Sequence, residues 1–196
     1  MTTGKTIDQD ISGPEGVPDG VISSEYDRVV LGNRLPRYQY GGNIRLNWKG
    51  FDASIVFQGI GSKLSYMGTN MVQPLRDNYG NIPAIIDDNY WSAFNTAEEN
   101  LNMKYPRLSK TGISNNYAVS DFWMFDGGYF RLKNITIGYT LPEKITSVIK
   151  MKRARFYVSA SDLFSISRFP KGWDPEMGYT SYPITTSLLV GLSIKF

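Results

Sequence analysis

Asp174 and Glu176, in the stretch WDPE, are the closest approach this chain makes to a catalytic pair. Two carboxyl groups flanking a glycosidic bond can act as general acid and as base or nucleophile. The plainer reading is that they order the loop that carries them. EGVPDGVISSEYDR offers a second candidate, a calcium loop. Laid on the EF-hand template, Glu15, Asp19 and Gly20 fit positions one, five and six, but Val17 and Tyr26 fall where oxygen ligands belong. A turn-rich surface segment fits better. The chain holds no Cys and no His. That removes disulfides, thiolate and imidazole metal sites, and Ser-His or Cys-His nucleophiles. A net charge of +3 without a basic run gives no reason to expect nucleic acid. No enzyme activity, cofactor or metal is expected.

The elements that would position these residues are strands. The 196 residues are 41% hydrophobic and 20% charged, and include 13 Tyr, 10 Phe and 4 Trp, a folded rather than disordered composition. No apolar run is long enough for a transmembrane helix, and MTTGKTIDQD is too polar for an export leader. In YQYGGNIRLNWKGFDASIVFQG, Lys49-Gly50 reads as a two-residue hairpin turn that sets Trp48 opposite Phe51. One face then carries Tyr40, Ile44, Leu46, Trp48, Phe51, Ala53, Ile55 and Phe57. The other carries Asn43, Arg45, Asn47, Asp52, Ser54 and Gln58, with Val56 out of place. Three more alternating stretches follow, so strands are expected at about 38–48, 51–60, 128–141, 153–164 and 187–196. Within the long connection 61–127, NYWSAFNTAEENLNM suits a short helix with Asn89 as its cap.

Alternation leaves two architectures open. A soluble β-sandwich buries the apolar face on a second sheet, and such a module could bind carbohydrate through surface aromatics. An outer-membrane barrel turns the face to lipid. Three features favour the barrel. Strands of nine residues reach the length needed for a span. Aromatics sit at the ends of the apolar face and aliphatics between them. Short turns alternate with long connections. In that reading Tyr40, Trp48, Phe51, Phe57 and Tyr139 form an aromatic girdle, residues 1–37, 61–127 and 165–186 are extracellular, and Arg45, Asn43, Asn47 and Lys195 face the lumen. Side-chain parity carries Arg131 and Lys133 to the outer end of the lipid face, where anionic headgroups would meet them. Five strands cannot close a membrane barrel, and an open sheet in lipid leaves unpaired backbone groups. A barrel therefore requires further strands beyond these residues.

Several ordered blocks resemble the C-terminal portion of the SusC/RagA-type TonB-dependent outer-membrane transporters. They are DGVISSEYDRVVLGNRLPRYQYGGN, FDASIVFQGIGS, YW at 90–91, YPRLS, SDFWMFDGGYFRLKNITIGYTLP, RFYVSASDLFSISRFPKGWDPEM and the final GLSIKF. RLKNITIGYTLP followed by GWDPE is the most specific pairing. Gly128, and Ser161-Asp162, depart from the family's usual residues without breaking a strand face. The resemblance implies an all-β fold, antiparallel up-and-down strands forming the C-terminal part of a 22-stranded barrel with long extracellular loops. It implies nutrient import (glycan, oligosaccharide or peptide) across the outer membrane. Implied partners are outer-membrane lipid, the remainder of the barrel and its plug, a SusD-like lipoprotein, and TonB through an N-terminal region to which nothing here corresponds. These residues alone are not expected to transport. Val190, Leu192, Ile194 and Phe196 then resemble the aromatic-ended strand that barrel-insertion machinery recognises. Tyr90, Trp91, Trp123, Phe125 and Trp173 become candidates for contact with ligand or with the lid protein.

Overall fold

The computed structural model describes residues 10–23, 25–68, 73–75, 81–110, 114–117, 119–177 and 182–196. Parts of the loops expected at 1–37, 61–127 and 165–186 lie outside those residues. The chain divides into two compact units.

One unit, formed by Leu35–Lys63, Gly127–Phe169 and Trp173–Phe196, is built on a five-stranded antiparallel sheet. Its strands are β1 (Gln39–Trp48), β2 (Phe51–Ile60), β5 (Tyr129–Thr140), β6 (Arg153–Ser167) and β7 (Ser187–Lys195), in the order β1-β2-β5-β6-β7. All five expected strands are present. β1 and β2 meet through Lys49-Gly50, both at positive φ (46° and 89°), as a twist-compatible two-residue hairpin turn requires. Trp48 is opposite Phe51 and Tyr40 opposite Gly59. Between β5 and β6 the chain makes one helical turn, α2 (Glu143–Thr146), and a 3-10 turn (Ser147–Ile149). Lys150, at φ 57°, closes that turn.

The other unit holds the described residues up to Arg34 with Leu64–Asp126 and Pro170–Gly172. The connection after β2 thus has structure of its own. β3 (Leu64–Tyr66) pairs antiparallel with β4 (Met124–Asp126). Helix α1 spans Ala97–Asn102. Its cap is Thr96, not the expected Asn89. Thr96 Oγ1 accepts from the Glu99 N–H (3.2 Å) while the Glu99 carboxylate accepts from the Thr96 N–H (2.7 Å), a reciprocal box that satisfies two orphan donors. Asn89 instead accepts the Lys104 N–H through its side chain. Trp123 is the centre of this unit's core. Its ring stacks 5.4 Å from Tyr117 and 5.7 Å from Tyr105, and its indole N–H donates to the Asn116 carbonyl (2.9 Å). Burial pushes the Tyr117 hydroxyl up to about 12.

Candidate functional site

The five-stranded sheet has two unlike faces. On one, large apolar side chains stand in the open: Ile137 is 53% exposed, Leu46 59%, Leu192 51% and Val190 73%. Among the described residues of this unit no second layer covers them. The aromatics form a row at each end of the face. At the hairpin end Phe51 lies 4.5 Å from Tyr139, with Trp48 and Phe156 beside them in register. At the far end Phe57, Phe130 and Phe164 run across β2, β5 and β6 at ring spacings of 5.7 and 6.4 Å. Ile55, Ile135, Ile137 and Val158 fill the band between. Glycines let the aromatics lie flat. A β-carbon on Gly42 would stand 2.8 Å from the Phe57 ring, and one on Gly59 would strike the Tyr40 ring and stand 2.5 Å from the Tyr129 carbonyl oxygen.

The other face is polar and knitted together. Asn134 donates to the hydroxyls of Ser159 and Ser161 (both 3.2 Å), and Thr136 shares a 2.8 Å hydrogen bond with Ser159. Arg155 reaches across Gly138 to the Asp52 carboxylate, its Nε donating at 2.8 Å and its Nη2 completing a bidentate pair. A side chain on Gly138 would occupy the guanidinium's place.

At the far end of this polar face lies a buried charge cluster. Arg131 is only 3% exposed. Its Nη2 donates to Asp174 Oδ2 at 2.6 Å, and its Nε lies 3.3 Å from Glu176 Oε2 without the alignment of a hydrogen bond. Lys133 Nζ stands 3.1 Å from Asp162 and 3.2 Å from Glu176. Gln58 donates to Glu176 (2.8 Å), and the Lys63 ammonium to the Pro175 carbonyl (3.4 Å). Residues 173–177 are thereby strapped to β5 and to the end of β2, and Arg131 and Lys133 also reach Asp162 on β6. Burial pushes the Asp174 carboxyl up, but the Arg131 hydrogen bond and charge, together with the backbone N–H groups of Glu176 and Met177, hold it below its ordinary 3.8. A glycosidase acid needs the opposite shift.

This cluster corrects the expectation that Arg131 and Lys133 lie on the lipid face. The register between β2 and β5 slips between Val56 and Phe57, leaving Lys133 as an extra residue. Across β5 and β6 the pairing jumps from Asn134↔Ser161 to Leu132↔Phe164, with Asp162 at φ 50°. A bulge adds one residue and so reverses the parity beyond it. Arg131 moves to the polar face, opposite Gln58 and Ser165, while Phe130, Leu132, Phe164 and Ile166 take the apolar one. Counting alternate residues along β5 therefore missed Phe130, whereas Phe164 keeps the even-numbered parity of Phe156 and Val158. One signal was available: simple alternation from Ile135 and Ile137 puts the large apolar Phe130 and Leu132 on the polar face.

The remaining candidates are scattered. Val190, Leu192 and Ile194 pair in register with Val158, Phe156 and Ala154 on the apolar face, and Phe196 is exposed just beyond β7. Tyr90 bridges to Tyr105 in the loop unit, with Trp91 beside it and half-buried. Phe125 is half-buried in β4, and Trp173 is half-buried at the start of the strap. Trp123, at 0% exposure, offers no ring face to a ligand. In the turn-rich segment weighed against a calcium loop, Asp19 accepts the Val21 N–H and Asp10 the Gly20 N–H. Asp27 accepts from Ile11, Ser12 and Ser23. Among the described residues no three acidic side chains are grouped to hold a metal.

No family model matches the chain. It is 30% identical over 200 residues to TonB-dependent receptor P3 of Formosa agariphila, covering 91% of this chain and 18% of that protein. Over 156 residues it is 27% identical to TonB-dependent receptor SusC of Bacteroides thetaiotaomicron, covering 74% of this chain and 15% of SusC. The fold matches the RagAB peptide importer in its "open-open" state with a TM-score of 0.66 at 20% identity, over 100% of this chain and 21% of that one. The chain spans less than a fifth of the length of the curated relatives it matches.

Proposed function

Since the chain corresponds to part of a SusC/RagA-type TonB-dependent receptor, we propose that it forms the C-terminal barrel wall and outer loops of a TonB-powered nutrient importer in the outer membrane. The observation that carries this is the uncovered apolar face, aliphatic in its middle and aromatic at both ends. Lipid is the solvent such a face suits, and the bonded polar face suits a lumen.

In this reading Tyr40, Trp48, Phe51, Phe57 and Tyr139 are girdle residues, joined by Phe130 and Phe164. The alternating Val190, Leu192, Ile194 and Phe196 present the insertion signal. The strap at 173–177 holds one outer loop against the wall. Tyr90, Trp91, Phe125 and Trp173 are the loop aromatics left for cargo or for a SusD-like lipoprotein. The cargo class is a glycan, oligosaccharide or peptide, and TonB acts on the whole receptor. The test is fractionation of the native protein. A heat-modifiable species in the outer-membrane fraction that needs detergent is expected. A monodisperse product that stays soluble without detergent would contradict the proposal.

A further inference from the structure

The two ends of the five-stranded sheet treat their cations differently. At the strap end, Arg131 and Lys133 are consumed by Asp162, Asp174 and Glu176. At the hairpin end stand Lys49, Lys144, Lys150, Lys152, Arg153 and Lys195, all exposed. Acidic side chains there are Glu143, which is exposed, and Asp52, which is committed to Arg155. Among the described residues none of these six cations makes an ion pair.

Their setting is firm. The β5–β6 connection is tied down by the buried Thr146, whose carbonyl accepts the Met151 N–H (2.9 Å), and by the Lys152 N–H donating to the Lys195 carbonyl (2.8 Å). From that frame Ile145 (53% exposed) and Val148 (81%) project beside Lys144 and Lys150. Lys152 precedes β6 by one residue, on the parity of the apolar face, and Lys49 Nζ sits 5.1 Å above the Trp48 ring. Lys49 and Lys152 are thus continuous with the aromatic row formed by Trp48, Phe51, Tyr139 and Phe156, whereas Arg153 and Lys195 are register partners on the polar face.

Exposed apolar side chains flanked by lysines, next to a lipid-facing aromatic row, are the chemistry of a membrane-interface anchor. We infer that the 142–152 connection, with Lys49, is a foot that binds anionic phospholipid headgroups of the leaflet at the hairpin end. The inference rests on the proposal that the apolar face meets lipid, and it goes beyond it by assigning one leaflet and one headgroup charge. Lys144, Lys150 and Lys152 supply the attraction, and Ile145 and Val148 enter the acyl boundary. At the strap end Arg131 and Lys133 are not available for this role, because they are already neutralised.

The test is native mass spectrometry of the detergent-purified membrane protein with phosphatidylglycerol or phosphatidylcholine added. The wild type should retain phosphatidylglycerol preferentially. A Lys144→Gln, Lys150→Gln, Lys152→Gln variant should lose that preference by roughly five-fold for each charge removed. A control triple of Lys104→Gln, Lys110→Gln and Lys171→Gln should keep it, and inorganic phosphate should not compete. Equal loss in both triples, equal retention of the two lipids by the wild type, or displacement by inorganic phosphate would each overturn the inference. A protein that is stable without detergent and retains neither lipid would overturn the membrane proposal beneath it.

Discussion

Replacing Arg131 with methionine keeps the side-chain stem and removes the charge. The Arg131 side chain is 4% exposed and Asp174 13%, so the pair lies almost out of water. Without the guanidinium, Asp174 keeps only backbone donors, such as the Glu176 N–H at 2.9 Å. Asp162 and Glu176 still have Lys133, at 3.1 and 3.2 Å. The loss is therefore one nearly buried, uncompensated carboxylate. Breaking a buried pair from one side costs about 3–5 kcal/mol, and the residual access of Asp174 argues for ~3. Lys133→Met should cost about 1 kcal/mol or less, because Lys133 is 25% exposed and water screens it. Adding Asp174→Asn to Arg131→Met removes the stranded charge and should recover about 2 kcal/mol. Urea unfolding of the native protein in detergent, followed by tryptophan fluorescence, reads all three differences. Equal costs for Arg131→Met and Lys133→Met, or no recovery in the double variant, would refute the buried-cluster reasoning.

Other outcomes follow from the same geometry. The Asp174 carboxyl lies below its ordinary 3.8, so the stability it contributes is complete above that pH and is lost as the pH falls through the lower folded value. An acid titration should show no Asp174-dependent loss between neutral pH and that point, a fall below it, and no such fall in Asp174→Asn. Gly59→Ala puts a methyl 2.5 Å from the Tyr129 carbonyl oxygen and into the Tyr40 ring, so it should lower the yield of heat-modifiable protein sharply on gel electrophoresis. Trp123→Ala empties the centre of the loop unit's core and should cost about 3–5 kcal/mol, seen as loss of near-UV dichroism from the stacked rings.

Much of the sheet was legible because strand residues alternate with period two and the Lys49-Gly50 turn fixes the first register. Trp48 opposite Phe51, and the clean split of Ile44, Leu46 and Ile55 from Asn43, Arg45 and Ser54, followed from that alone. The strap end was not legible. The irregularities at Lys133 and Asp162 are set by pairing across strands, and a linear count along β5 runs through Lys133 with the wrong parity. The charge cluster was hidden for the same reason, since Arg131 meets Asp174 and Glu176 across 43 and 45 residues of sequence. In the loop unit, alternation gives no guidance. Sequence leaves Trp123 open between ligand contact and loop packing, and the fold buries it fully. Thr96 was findable: a Thr followed three residues on by Glu99 is the capping-box spacing.

The account stands or falls on whether the apolar face touches lipid. The chain has no Cys, so single cysteines can be introduced along β7 and the facing β6 and nitroxide-labelled in the membrane-reconstituted protein. Labels at Leu188, Val190, Leu192 and Val158 should be open to oxygen and closed to a water-soluble nickel chelate. Those at Leu189, Ser193 and Ser159 should show less oxygen contact, giving a period of two. Labels at Val190 and Val158 shielded from both reagents would mean that a protein layer covers the face, and would contradict the membrane account.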